Sequence, residues 1–296
     1  MSVADGVISV ETASAPADAS AARRTARAFF RNPLGVAAVA VMLAIIILAI
    51  TAPWLAAYPR GYGTAIFSPP TWAHLFGTDE LGRDVFAEVV WGGRTSMLIG
   101  VCASVLAILI GVAVGVGAAY FHSLDAALGV VVDLFLSLPV LPLMILIAAL
   151  IGPSIESLII VIALFSWPEV ARVVRSQALM VVRLPFVDAA RVIGGSHVWI
   201  MRKHVLPAVA PMISVSVVLT ASRAVLSEAG LSFLGLGDPD TWSWGKILYN
   251  AQRSGSLATA WWTTLFPSLA ILLLVVSATL ISIAYNDARN PKVRSE

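Results

Sequence analysis

Charged residues are scarce in this sequence. Of its 296 residues only 12% are Asp, Glu, Lys or Arg, whereas 59% are hydrophobic. An average soluble domain carries about 25% charged residues. This number of charged residues is too small to cover the surface of a soluble domain. A soluble fold is therefore excluded, and a membrane protein is expected. The net charge of +2 is too small to indicate nucleic acid as a partner.

The sequence also lacks the residue groups on which most enzymes depend. A single cysteine, Cys102, excludes an intrachain disulfide and a thiolate cluster. The four histidines are scattered without the spacing of a metal site, and no Ser–His, Cys–His or paired-carboxylate arrangement indicates hydrolysis. No phosphate-binding loop of the G-x-x-x-x-G-K-[ST] type occurs. We therefore expect neither catalysis nor a bound metal or cofactor in this chain.

The amino-terminal segment has no cleavable secretory signal. Residues 1–22 contain three acidic residues and no apolar core, which is not the pattern of a signal peptide. We predict a disordered cytoplasmic tail over 1–30. A basic cluster then precedes the first long apolar run and comprises Arg23, Arg24, Arg27 and Arg31.

Long apolar runs are what the sequence has in abundance. A membrane-spanning helix needs about 20 mostly apolar residues. Six runs qualify, and they lie at about 34–57, 96–121, 126–152, 154–171, 207–227 and 263–285. The predicted organisation is a first transmembrane helix at 31–57, an extracytoplasmic loop at 58–95, a core of five further helices at 96–285 with an outer loop at 228–262, and a cytoplasmic tail at 286–296.

The distribution of Lys and Arg predicts the orientation. Of the 19 basic residues, four fall in the amino-terminal tail, six in 172–203 and three in the carboxy-terminal tail, and five fall in the loops of the opposite side. Cytoplasmic loops carry such an excess of positive charge. We therefore expect both termini and the loop at 172–206 to be cytoplasmic, in an all-α membrane protein with six transmembrane helices.

The loop at 172–206 has its own local pattern. FVDAARVI places Phe186, Ala189, Ala190 and Ile193 on one side of a helix, and the two glycines that follow, beginning at Gly194, allow a sharp turn. HVWIMRKHV resumes a helical pattern before the fifth span. This predicts a helix–turn–helix elbow that projects into the cytoplasm, although an ordinary basic loop would satisfy the same charge rule.

The elbow resembles the EAA motif of the permease subunits of ABC importers, in which E-A-A is followed by G after three residues and by I-x-L-P after nine more. The matching residues are Asp188, Ala189, Ala190, Gly194, His204, Leu206 and Pro207. Asp replaces the motif's Glu, and His replaces its Ile. FGTDELGRDVFAEVVWGGRTSMLIG at 76–100 and EAGLSFLGLG at 228–237 are similar to signatures of the C-type permease in the dipeptide, oligopeptide and nickel branch.

This resemblance implies a fold, a function and a set of partners. It implies the ABC type I importer permease fold and a pore-forming subunit, without enzymatic activity, in the inner membrane of a bacterium. The implied partners are a second homologous permease subunit, two ATPase subunits that bind ATP and Mg, an extracytoplasmic substrate-binding protein and membrane lipid. The elbow would seat in an ATPase through Asp188, Ala189, Ala190, Arg191, Gly194, Leu206 and Pro207.

Other polar residues lie within or beside the predicted spans. Asp133 has two possible roles. It is a pathway residue or an ion-pair partner for the companion permease, or it anchors helix packing near the cytoplasmic headgroups. Pro139, with Pro142, bends the third span as a gating hinge or as a static kink. Arg223 and Glu228 either line an outer vestibule or pair with each other locally.

The outer segment 76–94 carries six charges. The resemblance suggests that Asp79, Gly82, Arg83 and Asp84 shape an outer gate and the receptor for the binding protein. The alternative is a capped lead-in to the second span with solvated charges. We also predict an outer belt of Trp242, Trp244, Trp261 and Trp262, and close helix packing at Gly111, Gly115 and Gly117.

The expected cargo is a di- or oligopeptide, taken up by alternating access. Nickel chelates, haem and glutathione remain open, because in such importers the binding protein sets most of the selectivity. A self-sufficient secondary transporter would be indicated by inverted repeats and several paired intramembrane charges, and a membrane enzyme by a polar catalytic cluster. Neither pattern is apparent in the sequence.

Overall fold

The structure is a computed structural model that describes residues 25–257 and 259–289. Over these ranges it is helical, and the β-type pairing is limited to one isolated bridge between Thr78 and Asp84. Most of the predicted tails, namely residues 1–24 and 290–296, lies outside the described residues. The segment 25–30, which was predicted to belong to the disordered tail, is helical.

Ten α-helices follow the helical segment 25–30 in the described chain. They are α1 (Pro33–Leu55), α2 (Val85–Tyr120), α3 (His122–Ser137), α4 (Val140–Ile151), α5 (Ile155–Val182), α6 (Pro185–Val192), α7 (His197–Ile200), α8 (Leu206–Phe233), α9 (Trp244–Arg253) and α10 (Trp262–Arg289). A π-helical turn, Met201–Val205, joins α7 to α8.

Five of the six crossings predicted from hydropathy are present as long helices, and the sixth depends on a bent helix pair. Helices α1, α2, α5, α8 and α10 are each long and apolar enough to cross a membrane, and α3 with α4 makes a sixth crossing if the bent pair is one span. A helical hydrogen-bond ladder satisfies the backbone within the segment, which hydrocarbon requires. The predicted all-α membrane fold is confirmed, and the orientation of the termini stays a prediction.

The helices extend beyond the apolar runs that predicted them. Helix α2 begins at Val85, eleven residues before the predicted second span, because the Asp84 side chain accepts a hydrogen bond from the Phe86 N–H and caps the helix there. Helix α5 likewise continues to Val182, into the predicted 172–206 loop. Hydropathy reports where lipid is tolerated, whereas caps and tertiary contacts decide where a helix ends.

The third crossing is a broken helix. Helices α3 and α4 meet at an angle of 87°, and Pro139 is the amino-terminal cap residue of α4. Because proline has no N–H, it cannot continue the hydrogen-bond ladder of α3. The bend expected from the prolines is therefore present, and Pro142 lies within the first turn of α4, where a proline costs little.

Helix α2 is central and packs most closely against α5. A Cβ atom added at Gly111 would lie 2.6 Å from Val170 Cβ, and one added at Gly115 would lie 2.7 Å from the Ala171 carbonyl oxygen. The missing side chains thus let the two backbones approach, as small residues do in membrane helices. The prediction fails at Gly117, where an added Cβ meets no atom within 4 Å.

We predict that Gly115→Leu destabilises the protein, because a bulky side chain would collide with the α5 backbone. Overpacking of this kind costs typically about 1–3 kcal/mol. The thermal unfolding midpoint of purified protein in detergent should fall. Gly117→Leu on the same helix is the matched control and should leave the midpoint unchanged; equal midpoints for the two variants would contradict the close approach.

Candidate functional site

The elbow predicted to be cytoplasmic consists of α6, a glycine turn and α7. Pro185 occupies the first turn of α6 and Asp188 follows in that turn, where a carboxylate complements the helix dipole. Gly194 has a φ of +86°, and its N–H donates to the Arg191 carbonyl. Glycine is the residue that adopts this conformation without strain, so it ends α6 and turns the chain into α7.

The base of the elbow is anchored in the helical core. Val187 and Ala190 of α6 and Ile200 of α7 are buried in one cluster with residues of α2 and α5. Tyr120, the last residue of α2, places its hydroxyl 3.0 Å from the His197 Nδ1 atom, and the guanidinium of Arg191 lies over its ring. The elbow is therefore a rigid extension of α2 and α5.

The tip of the elbow is exposed and partly apolar. Val192 is 87% exposed and Ile193 is 79% exposed. Asp188 and Arg191 form an exposed ion pair at 2.8 Å beside them. The two alanines do not share a face as predicted, because Ala190 is buried and Ala189 is exposed; the buried side of α6 is instead Val187 and Ala190.

The other motif residues lie at the start of α8. Leu206 and Pro207 occupy its first turn, directly after the π-helical turn. The ring of His204 lies against the rings of Phe186 and Trp199. The elbow residues of the motif thus converge on one short segment of structure, from α6 to the first turn of α8.

The outer segment before α2 is an ion-pair network. The Arg83 guanidinium lies 2.6 Å from an Asp79 carboxylate oxygen and 3.4 Å from Glu88 Oε1, and Glu80 is also within ion-pair range. Asp79 is only 3% exposed and Glu88 only 1%. The expectation of solvated charges is therefore wrong for these two residues, which are buried and paired through Arg83.

Tight turns hold this network in place. The Asp79 side chain accepts hydrogen bonds from the backbone N–H groups of Leu81 and Arg83. Gly82 has a φ of +73°, and an added Cβ would lie 2.6 Å from the Gly63 carbonyl oxygen. All four predicted outer residues, Asp79, Gly82, Arg83 and Asp84, thus belong to one turn that ends at the α2 cap.

A polar cleft of about 650 Å³ lies between the 58–84 loop and the segment around α9. The Tyr58 hydroxyl donates to the Asp240 carbonyl, and the Trp242 indole N–H donates to the Pro59 carbonyl, so the two loops are joined. The cleft wall includes Tyr58, Arg60, Glu80, Lys246, Asn250 and Arg253.

Cations dominate one side of this cleft. The Lys246 ammonium donates to backbone carbonyls, Thr241 among them at 2.9 Å, and burial lowers the pKa of that ammonium. Arg60 stacks over Tyr58, and Arg253 donates to the Tyr249 hydroxyl. Across the described chain, none of these three cations forms a salt bridge. Burial also raises the pKa of the Glu80 carboxyl.

Three of the four tryptophans predicted for an outer belt are core residues. Trp242, Trp244 and Trp262 are buried, and their indole N–H groups donate to the carbonyls of Pro59, Val89 and Thr78. Of the four, only Trp261 is exposed. A tryptophan fits both an interfacial belt and a buried donor site, so sequence alone could not separate the two.

Glu228 and Arg223 do not form the predicted local pair. Glu228 is fully buried, and its carboxylate accepts hydrogen bonds from the hydroxyls of Ser96 and Ser232. The Trp244 N–H at the start of α9 donates to the same Ser96 hydroxyl. Glu228 therefore joins α8 to α2 and to the amino terminus of α9. Arg223 pairs with Glu169 of α5 instead.

Asp133 pairs with Arg172 of α5 at 2.5 Å, and both side chains are more than half exposed. It lies eleven residues after the start of α3, about 16 Å along the helix. Whether Asp133 is a pathway residue or a packing anchor near the headgroups stays a prediction. A further pair, Arg175 with Asp125 at 2.6 Å, joins the same helices nearer the start of α3.

Within residues 25–257 and 259–289, no three His, Cys, Asp or Glu side chains cluster closely enough to hold a metal ion. The chemistry that the sites described above offer is ion pairing, hydrogen bonding and apolar contact, which serves docking and conformational change.

Comparison with known proteins agrees with this geometry. Residues 107–295 match the model of the "Binding-protein-dependent transport system inner membrane component" family, and residues 20–70 match the "N-terminal TM domain of oligopeptide transport permease C". Among similar proteins is a putative peptide transport system permease protein of Brucella abortus, 35% identical over 92% of both chains.

Two further relatives extend the comparison. A putative peptide permease protein of Brucella suis is 36% identical over 94% of both chains. The dipeptide transport system permease protein DppC of Bacillus subtilis is 34% identical over 89% of this chain and 83% of its own. With its apolar crossings, the chain is a multi-pass inner-membrane protein, and it belongs to the family of binding-protein-dependent transport system inner membrane components.

Proposed function

We propose that this chain is one of two pore-forming permease subunits of an ATP-driven ABC importer, which moves di- or oligopeptides by alternating access. The observation that carries the proposal is the elbow. Its tip exposes Val192 and Ile193, while its base is fixed to α2 and α5. Solvent-exposed apolar residues on a rigid projection fit a protein partner.

Two ATPase subunits supply the energy in this proposal, since the chain has no phosphate loop of its own. The elbow of each permease subunit seats in one of them. Val192 and Ile193 provide the apolar contact, and Asp188 with Arg191 provides charge-assisted hydrogen bonds. Closure of the ATPases then moves the elbow, and the movement passes to α2 through Tyr120. Rigid-body movement of packed helices is a common form of such transitions.

The outer cleft is the proposed contact for a substrate-binding protein. Arg60 and Arg253 are exposed cations without an acidic partner among the described residues. An acidic surface on the binding protein would pair with them, and complementary charge speeds the encounter of two proteins. The hydrogen bonds from Tyr58 and Trp242 to the opposite loop join the two walls of the cleft.

Peptide cargo is proposed because the relatives in Brucella and Bacillus carry peptide or dipeptide transport in their names. Nickel chelates, haem and glutathione would use the same machinery with a different binding protein. The alternative class is a self-sufficient secondary transporter, which would transport its cargo in the absence of any ATPase subunit. Uptake by this chain alone would favour that class over the importer.

We predict that Gly194→Val abolishes uptake while the protein still inserts, because valine is strained at a φ of +86° and the α6–α7 turn would change. ATP-dependent uptake of a labelled dipeptide into proteoliposomes containing the full complex measures this. Gly255→Val is the matched control: Gly255 also has a positive φ, +70°, and open space, but it lies in the outer loop. Normal uptake by the Gly194→Val variant would contradict the proposal.

We predict that Ile193→Asp releases the ATPase subunits. A carboxylate at a 79% exposed apolar tip leaves the fold intact but would be desolvated in the interface. Copurification of ATPase with tagged permease should fall by roughly tenfold or more, which corresponds to about 1.4 kcal/mol. Leu257→Asp, an exposed leucine of the outer loop, is the control and should retain full copurification. If the Ile193→Asp variant retained the ATPase, the tip of the elbow would not be part of the interface.

We predict that Arg253→Glu slows association of the binding protein. Reversal of an exposed interface charge acts mainly on the association rate and on its salt dependence. Surface plasmon resonance on the nanodisc-embedded complex, at low and high salt, measures both. Arg94→Glu, another exposed outer cation outside the cleft, should leave the rate unchanged. Equal rates for wild type and Arg253→Glu at low salt would exclude the cleft as the contact.

A further inference from the structure

Four charged side chains form two ion pairs across three membrane-spanning helices. Asp133 of α3 pairs with Arg172 of α5, and Glu169 of α5 pairs with Arg223 of α8. Glu169 and Arg172 are three residues apart, so they lie on the same face of α5. The order across the three helices is acid, base, acid, base, and we call these four residues the charge stripe.

Three residues of the charge stripe lie in the middle of long helices. Glu169 is fourteen residues from the outer end of α5, about 21 Å, and Arg223 is ten residues from the outer end of α8, about 15 Å. Arg172 is ten residues from the cytoplasmic end of α5, about 15 Å. Because α5 and α8 are longer than the hydrocarbon core of a bilayer, which is about 30 Å thick, their central residues lie within the core when these helices cross, and Asp133 lies at the level of its ion-pair partner Arg172.

These side chains are nevertheless exposed. Their exposed fractions are 70% for Asp133, 58% for Arg172, 57% for Glu169 and 64% for Arg223. Charges at this depth are costly in lipid, and in membrane proteins they face a water-filled cavity or another polar surface. The face that carries the charge stripe is therefore not a lipid-facing surface.

The break between α3 and α4 gives independent support. Four residues after Asp133 the helix stops, and the chain resumes helical geometry beyond Pro139. Both Ser137 and Pro139 are exposed. Non-helical backbone at membrane depth is tolerated only where protein covers it or where it lines a water-filled cavity. An exposed break beside an exposed carboxylate fits the cavity.

We infer that the face formed by α3, α5 and α8 lines the aqueous passage, and that the charge stripe receives a zwitterionic cargo. The cargo's ammonium group meets Asp133 or Glu169, and its carboxylate meets Arg172 or Arg223. This inference rests on the proposed importer function, because it assigns the passage to one face of the chain and gives the cargo's charged ends their partners.

The pairing of the charge stripe suits transient contact with such a cargo. Exposed ion pairs contribute only about 0–1 kcal/mol each, so a pair opens readily. When a zwitterion enters, each opened side chain can exchange its partner for one end of the cargo, and no charge is left unpaired. The stripe has no net charge, so it holds neither end tightly, and conduction requires such weak, multiple sites.

The first experiment measures water access to the charge stripe. Cys102→Ser removes the single cysteine, and Asp133→Cys or Glu169→Cys then adds one reporter. The full complex in nanodiscs is treated with a cationic, water-soluble methanethiosulfonate, without nucleotide and after trapping with ATP and vanadate. Leu272→Cys is the control: it is 56% exposed and, like Arg223, ten residues from the outer end of its helix.

We expect both reporters to react in at least one of the two nucleotide states, and the Leu272→Cys control to react in neither. Saturating dipeptide delivered by its binding protein should slow the reaction. Two results would overturn the assignment: reporters that are as inert as the control in both states, and reporters that react in the isolated chain but are blocked by the second permease regardless of nucleotide. The latter would make the face a subunit interface.

The second experiment tests the cargo contact. Glu169→Gln and Arg223→Gln should each lower dipeptide uptake per ATP hydrolysed by roughly tenfold, the effect of 1.4 kcal/mol, while ATPase activity stimulated by the binding protein stays normal. The charge-swapped Glu169→Arg/Arg223→Glu variant should recover much of the loss. Unchanged uptake per ATP in both neutral variants would exclude the charge stripe as a cargo contact.

The two failures can be told apart. If the wild-type complex shows no ATP-dependent uptake, the proposed function fails, yet the reactivity of the reporters without nucleotide still shows whether this face meets water. If wild-type uptake is ATP-dependent and the reporters are inert in both states, the importer function stands and the assignment of the passage is wrong.

Discussion

The exclusion of unpaired polar groups from hydrocarbon determines this structure. Backbone groups in lipid must find partners within their own segment, which leaves helices as the form in which this apolar chain can cross. The same constraint decides which helix faces can meet lipid. Leu272 of α10 faces outward as a hydrocarbon side chain, whereas Asp133 and Glu169 cannot. The helical form of the crossings and the choice of the face that lines the proposed passage thus both follow from the free-energy cost of polar groups in hydrocarbon.

Helix α2 connects the two surfaces that the proposed function requires. Its 36 residues span about 54 Å, more than the hydrocarbon core. In its first turn Glu88 lies beside the Arg83 network, and at its last residue Tyr120 contacts the elbow through His197 and Arg191. A displacement of the elbow would therefore reach the outer segment through one continuous helix, without an intervening flexible loop.

Hydropathy and charge counting predicted the number of crossings and the elbow, because both depend on local composition. They could not predict partners that lie far away in sequence. Glu228 meets Ser96 across 132 residues, and Arg223 meets Glu169 across 54. A sequence shows that such a charge is costly in lipid but not which helix satisfies it. The prediction of an outer tryptophan belt failed for the same reason, because Trp242 and Trp262 donate to carbonyls more than 180 residues away in the sequence.

The contrast between two kinds of helix contact shows how the fold could both hold and move. Helices α2 and α5 meet through glycines and small side chains, a contact without room for adjustment. Helices α3 and α8 pack apolar side chains on α5 as well, but beside that packing they meet α5 through exposed ion pairs, which are weak and can exchange partners. Alternating access by rigid-body movement needs such an arrangement. The closely packed α2–α5 pair carries the elbow, and adjustable contacts flank this pair along the proposed passage. The broken third crossing adds a point at which α4 can change its angle to α3, because the helical hydrogen-bond ladder is interrupted at Leu138 and Pro139.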